Sequence, residues 1–140
     1  MLFANARTPR AEQAASFFGT DHLAPMVMVN LLKFKPLAEY PHGRHAGMTG
    51  REAYGIYGAA VQYCLGQVGG RVVYSGDVTG LLIGQIDALW DMVALAYYPS
   101  SLALMAMVAL PDYRGIEVHR FAGLKGQLNI RTGVNGLPAL

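Results

Sequence analysis

Apolar side chains along this chain recur with two different periods. From Met26 to Lys35 they fill both alternating series, with Val27, Val29 and Leu31 on one side and Met28, Leu32 and Phe34 on the other. Asn30 and Lys33 interrupt the pattern on opposite faces. Such a segment predicts a strand that is apolar on both sides. From Tyr54 to Val68 the period lengthens: Tyr54, Tyr57, Val61, Leu65 and Val68 form one helical stripe. Thr49 and Glu52 stand at capping-box spacing at its start, and Gly69-Gly70 ends it. Arg71 to Gly76 predicts a second strand, Gly80 to Ile86 a hairpin arm or an extension of it, and Trp90 to Tyr98 a third strand. Pro99 ends the third strand. Ser100 or Ser101 then caps a helix to about Leu110, Pro111 starts a second helical segment ending near Gly123, and Lys125 to Arg131 makes a short last strand. Ahead of all this, Thr8 as N-cap and Pro9 at the first helical position predict a leading helix to about Phe18.

The resulting order, a leading helix followed by β-α-β-β-α-β, predicts an α+β, ferredoxin-like domain with one antiparallel sheet and the helices on one face. The predicted boundaries are a helical extension over 1–24, the domain over 25–132 and a tail over 133–140. Strands one and three are apolar on both sides, so the face without helices would expose more apolar surface than soluble monomers tolerate. A homodimer with sheets packed face to face into a barrel-like core is the economical solution. Composition fits this, with 53% hydrophobic and only 14% charged residues: a second buried surface accounts for the excess.

Charge and cysteine content narrow the classes further. Eleven Lys and Arg against nine Asp and Glu give a net charge of +2, with no basic cluster, so nucleic-acid binding is disfavoured. The single cysteine, Cys64, rules out an intrachain disulfide and points to a reducing cytoplasm. Met92 to Pro111 lacks charge, yet Tyr97-Tyr98-Pro99-Ser100-Ser101 divides it into strand and helix, so no membrane span is expected. The N-terminus lacks the pattern of a secretory signal.

Several residues together carry a resemblance: Met28-Val29-Asn30-Leu31-Leu32-Lys33-Phe34, Gly69-Gly70-Arg71, Ser75-Gly76, Trp90-Asp91, Tyr98-Pro99-Ser100, Met105, Pro111-Asp112-Tyr113, His119-Arg120 and Ala122-Gly123-Leu124. Over about residues 26 to 130 the chain resembles the DUF1330 family of the dimeric α/β-barrel superfamily. The segment up to Leu23 and the linker from Asp77 to Leu89 exceed that family's short pattern. The resemblance implies the ferredoxin-like fold and the dimer, and it lends no reaction, because the family is named for having none assigned.

Candidate chemistry is sparse. His42-Gly43-Arg44-His45 offers two imidazoles in a Pro- and Gly-rich loop, but no Cys or Glu cluster joins them, so no metal is expected. No dinucleotide or phosphate-loop fingerprint occurs, and no cofactor is expected. Cys64 reads as a packed thiol. Tyr113, Ile116 and Arg120 share a helical face. The plain reading pairs Arg120 with Asp91 or Asp112, and the functional reading makes it an anion anchor. Asn30 must find a partner within an apolar strand. Tyr54, Tyr57, Tyr74 and Trp90, together with Asn30 and Arg120, are the predicted substrate-binding set, and His119 or His45 the proton-transfer group if a reaction is catalysed. The predicted function is binding of a small apolar or aromatic molecule between sheet and helices. By analogy with the wider superfamily this extends to cofactor-independent oxygenase or isomerase chemistry. The competing reading is a non-catalytic binding or assembly module in which the polar residues are structural.

Overall fold

The computed structural model describes residues 6–20, 23–43 and 45–136. A first helix, α1 (Ala11–Gly19), precedes strand β1 (Met26–Phe34). Then follow α2 (Gly50–Gln67), β2 (Arg71–Asp77), β3 (Met92–Tyr98), α3 (Ser101–Val108), α4 (Pro111–Gly123) and β4 (Leu124–Gly133). The four strands form one antiparallel sheet in the order β2-β3-β1-β4. The chain is thus α+β, with four α-helices among the described residues.

The capping box at Thr49 and Glu52 forms as its spacing requires, with reciprocal bonds of 3.0 Å. Gly69 then stops α2 at a φ of 80°, a left-handed backbone that a side chain would strain. Ser100, of the two candidates, caps α3 by accepting from the Ala103 N–H at 3.1 Å.

Some expected boundaries move. Neither Thr8 nor Pro9 starts α1: the helix begins after Arg10, whose N–H is taken by the Gln13 side chain at 3.1 Å. Lys35 leaves β1 because its N–H turns to Gly123 O, at 2.8 Å. Gly80 to Ile86 is no strand. It is an open loop in which Leu82 and Ile83 are 95% and 84% exposed, since no neighbouring strand takes its backbone groups. Trp90 is buried just ahead of β3, and α3 ends at Val108. β4 is longer than its apolar pattern predicts because β1 pairs along it from Met26 to Phe34.

Register sorts the strand residues onto two faces. Met26, Met28 and Asn30 lie opposite Tyr98, Ala96 and Ala94 on β3, and Met28 and Asn30 lie opposite Arg131 and Asn129 on β4. This face meets the helices, because Met26, Met28, Ala96 and Tyr98 share one core with Tyr57, Val61 and Leu65 of α2, Met107 of α3 and Tyr113 of α4. Helix α1 joins the same side. Phe17 packs against that core under the Arg131 guanidinium, 4.1 Å from its ring centre, and Arg131 also bonds the Phe17 and Thr20 carbonyls. Val29, Leu31, Val93, Leu95, Leu128 and Ile130 therefore occupy the opposite face, on which no helix of the described residues packs, and Tyr74 joins them opposite Leu95.

One crossing fixes the helix pair relative to the sheet. Gly50 donates to Lys35 O, Lys35 donates to Gly123 O, and a β-carbon on Gly123 would run into Gly50 O and Tyr54 N. Glycine at both positions thus lets α2 and α4 touch backbone to backbone just beyond the end of β1. The contact places Tyr54, one turn along α2, against the last turns of α4.

Candidate ligand-binding site

Between sheet and helices lies a cavity of about 690 Å³ lined by residues of all four strands, of α2, α3 and α4, of the segment Arg7 to Pro9 ahead of α1, and by Phe18 near the end of α1. A second hollow of about 650 Å³ under α1 shares Arg7, Arg120, Gln127 and Leu104 with it, so the two adjoin.

A polar chain crosses the wall. Arg120 Nη2 donates to Gln127 Oε1 at 2.5 Å, Gln127 Nε2 donates to Asn30 Oδ1 at 2.6 Å, and Asn30 Nδ2 donates to Ala94 O at 3.2 Å. Each amide is held at both ends, which fixes its orientation. Asn30 thus answers both of its sequence readings, since it bonds a neighbouring side chain and also lines the cavity. Arg120 pairs with neither Asp91 nor Asp112. The Asp91 carboxylate is taken by the Phe34 N–H at 2.7 Å, and Gln127 reaches the guanidinium instead.

Three tyrosines stand around this chain. Tyr57 and Tyr113 share a hydrogen bond of 3.0 Å between hydroxyls, and Tyr54 stacks obliquely on Tyr57 with centroids 5.2 Å apart. Burial pushes the Tyr54 phenol up to about 12, against a smaller downward pull from Arg120. Burial likewise raises Tyr57 well above its ordinary value, and Tyr113 rises for the same reason. All three are therefore neutral hydroxyl donors near pH 7, not bases.

The other predicted site residues lie elsewhere. Tyr74 is on the open sheet face and 55% exposed, and Trp90 is buried without lining either cavity. His119 and His45 meet outside the sheet–helix layer, where the loop after β1 folds against the outer side of α4. Tyr40 Oη lies 2.6 Å from His119 Nδ1, and the His45 ring is 4.7 Å from Tyr40 and 6.5 Å from His119. Burial, and then His45, lower the His119 pKa, so its imidazole is neutral near pH 7. Arg44 of the same loop lies outside the described residues. Among the described residues no three His, Cys, Asp or Glu side chains group as a metal would need. Cys64 is buried in the α2 core, and its thiol is raised by burial, as a packed thiol should be.

Sequence reasoning missed Gln127, Tyr113 and Tyr40 as site residues. Gln127 had a signal: Gln127, Asn129 and Arg131 alternate with Leu128 and Ile130 along β4. That pattern marks one face of the strand as polar, and it is the face turned to the helices. Tyr40 had none, being one aromatic in a loop.

No family model matches the chain, and no curated protein matches it. Among solved structures it is similar to the RPA0582 protein of Rhodopseudomonas palustris, a protein of unknown function. The TM-score is 0.84 and the identity 34%, over 96% of this chain and 100% of the other. The methylated form of RPA0582 is similar at 36% identity and a TM-score of 0.84, over 98% of each chain. Among the described residues no helix is long and apolar enough to cross a membrane.

Proposed function

The chain belongs to the family of the Rhodopseudomonas palustris RPA0582 protein, and from that premise we propose that it is a homodimeric binding protein for a small apolar or aromatic molecule. The molecule sits between sheet and helices. One observation carries this reading: a cavity of about 690 Å³ whose mostly apolar wall holds the preset Arg120–Gln127–Asn30 chain and three neutral tyrosines, with a few charged groups beside them. That combination, apolar body with a few fixed polar groups, is what small-molecule sites require. Binding leads over cofactor-independent oxygenase or isomerase chemistry because His119, the best proton-transfer group, lies apart from the cavity. The purely structural reading of the polar residues accounts for the Arg120 chain but leaves the space beside it without a role.

The strand order, read from the other edge as β4-β1-β3-β2, supports a ferredoxin-like fold of the dimeric α/β-barrel kind. The Tyr98-Pro99-Ser100, Pro111-Asp112-Tyr113 and His119-Arg120 motifs support DUF1330 as the family. The apolar open face, left uncovered by α1, supports a second copy of this chain as the partner. The lone, buried Cys64 supports a cytoplasmic home.

The test uses a glycine of α2. Gly58 lines the cavity, and a β-carbon there meets nothing within 4 Å, so Gly58→Leu extends a side chain from open space at the cavity wall. A thermal-shift screen of metabolites should yield compounds that raise the Tm of the native protein by mass action and leave Gly58→Leu unmoved. Hits that stabilise both proteins equally would contradict the reading.

A further inference from the structure

We infer that the molecule bound in this cavity is a small monocarboxylate with an apolar or aromatic body, its carboxylate seated against Arg120 and the Tyr54 hydroxyl. The inference rests on the cavity being a binding site and adds the chemical class of what binds.

The charge balance of the lining points there. Among the described residues the ion pairs are Arg10–Glu12, Lys35–Glu39 and Arg51–Asp77. Arg51 and Asp77 both line the cavity and neutralise each other. Arg120 and Arg7 line it too, and neither has a carboxylate within 4.0 Å among the described residues. Their guanidinium groups flank the same ring, 5.3 Å and 5.8 Å from the centre of Phe121. Glu117 is the remaining acid of the lining. Two cations against one acid leave a single positive charge, which one carboxylate balances and a doubly charged phosphate does not.

The donors are arranged accordingly. A guanidinium has five N–H donors in a planar fork, and Gln127 engages Arg120 through Nη2 only. The Gln127–Asn30 chain holds that fork in place before any ligand arrives, so little ordering remains to be done on binding. Tyr54 lines the cavity and its hydroxyl bonds no described residue, whereas Tyr57 and Tyr113 satisfy each other. Tyr54 and Arg120 line the same cavity, and a carboxylate has two oxygens to offer them. A part-buried guanidinium with no counter-charge pays for its desolvation, and a carboxylate in a low-dielectric pocket offsets that through charge-assisted hydrogen bonds. Leu104, Met107 and Val61 supply the apolar wall for the rest of the molecule.

Calorimetric titration with matched acids and amides tests this. The pairs are benzoate and benzamide, 3-phenylpropionate and 3-phenylpropionamide, and octanoate and octanamide. In the native protein at least one acid should bind about tenfold or more tightly than its amide, the range expected for hydrogen bonds to a charged partner. Arg120→Gln should abolish the preference while keeping the amide's affinity, which also reports that the variant is folded. Tyr54→Phe should reduce the preference several-fold, and Arg7→Gln should do so less. If Arg120→Gln does not fold, Arg120→Lys and Tyr54→Phe decide: both keeping the full preference overturns the inference. Equal binding of acid and amide by the native protein overturns the carboxylate assignment while leaving the cavity a binding site. No binding of any pair overturns both.

Discussion

The covered face of the sheet changes character from one side to the other: toward β3 it is the apolar core, and along β4 it inverts the usual order of a half-buried sheet. On β4, the face turned to the helices carries Gln127, Asn129 and Arg131, while the face without helices carries Leu128 and Ile130. On β1 the helix side is apolar at Met26 and Met28 and then turns polar at Asn30, and the open side carries Val29 and Leu31. A face can afford polar groups under a cover of helices only when they bond one another, and Arg120, Gln127 and Asn30 do so. An apolar face left in water has no such remedy except a partner. Covered and polar are not opposites here: the polar chain lies under the helices, and the apolar side of β4 is turned away from them.

Substitutions can break this contrast in order of size. Leu65, 2% exposed in the covered core, should cost about 2–5 kcal/mol as Leu65→Ala, read by urea unfolding at any protein concentration. Leu95→Glu on the open face should instead act through assembly: sedimentation velocity should report a dimer for the native protein and a folded monomer for the variant. A native protein that stays monomeric at micromolar concentration removes the partner from the open face. Gln127→Leu should cost about 1–3 kcal/mol, because it strands Asn30 Oδ1 and Arg120 together in a part-buried site. Asn129→Leu, next on the same side of β4 but exposed and bonded to no side chain, should change unfolding by less than about 0.5 kcal/mol.

The smallest effect concerns the outer side of α4. His119 is lowered in the folded chain, chiefly by burial, so as pH falls the unfolded chain takes up the proton first. Its contribution to stability is therefore complete above the ordinary value of 6.5 and is lost as pH falls through the lowered folded value. His119→Gln should flatten that limb of the stability–pH curve. A native curve that rises as pH falls through this window would contradict the burial of the Tyr40–His119 contact.

Much of the fold was legible because its signals are local. The capping box at Thr49 and Glu52, the Gly69 stop, the Ser100 cap and the Pro111 start each depend on a few neighbouring residues. The linker from Gly80 to Ile86 misled because its apolar run, Leu81-Leu82-Ile83, resembles a strand, and strand formation needs a partner that the sheet does not offer. The site was legible by halves. Helical steps placed Tyr54, Tyr57 and Arg120 on faces that meet, and strand alternation placed Asn30 among them. His119 next to Arg120 shows the limit of adjacency in sequence: about 100° of helix turn separates neighbours, so one points to the cavity and the other to Tyr40. What the sequence could not supply was the pairing that ties residue 127 to residue 30, which exists only once β1 and β4 lie side by side.

The most direct measurement is nuclear Overhauser contact between bound 3-phenylpropionate and methyl and aromatic protons of the protein. Contacts to Tyr54, Leu104 and Met107, lost in Gly58→Leu, are the expected result. Contacts to Val29, Leu95 or Ile130 instead would place the ligand on the open face and contradict a site between sheet and helices.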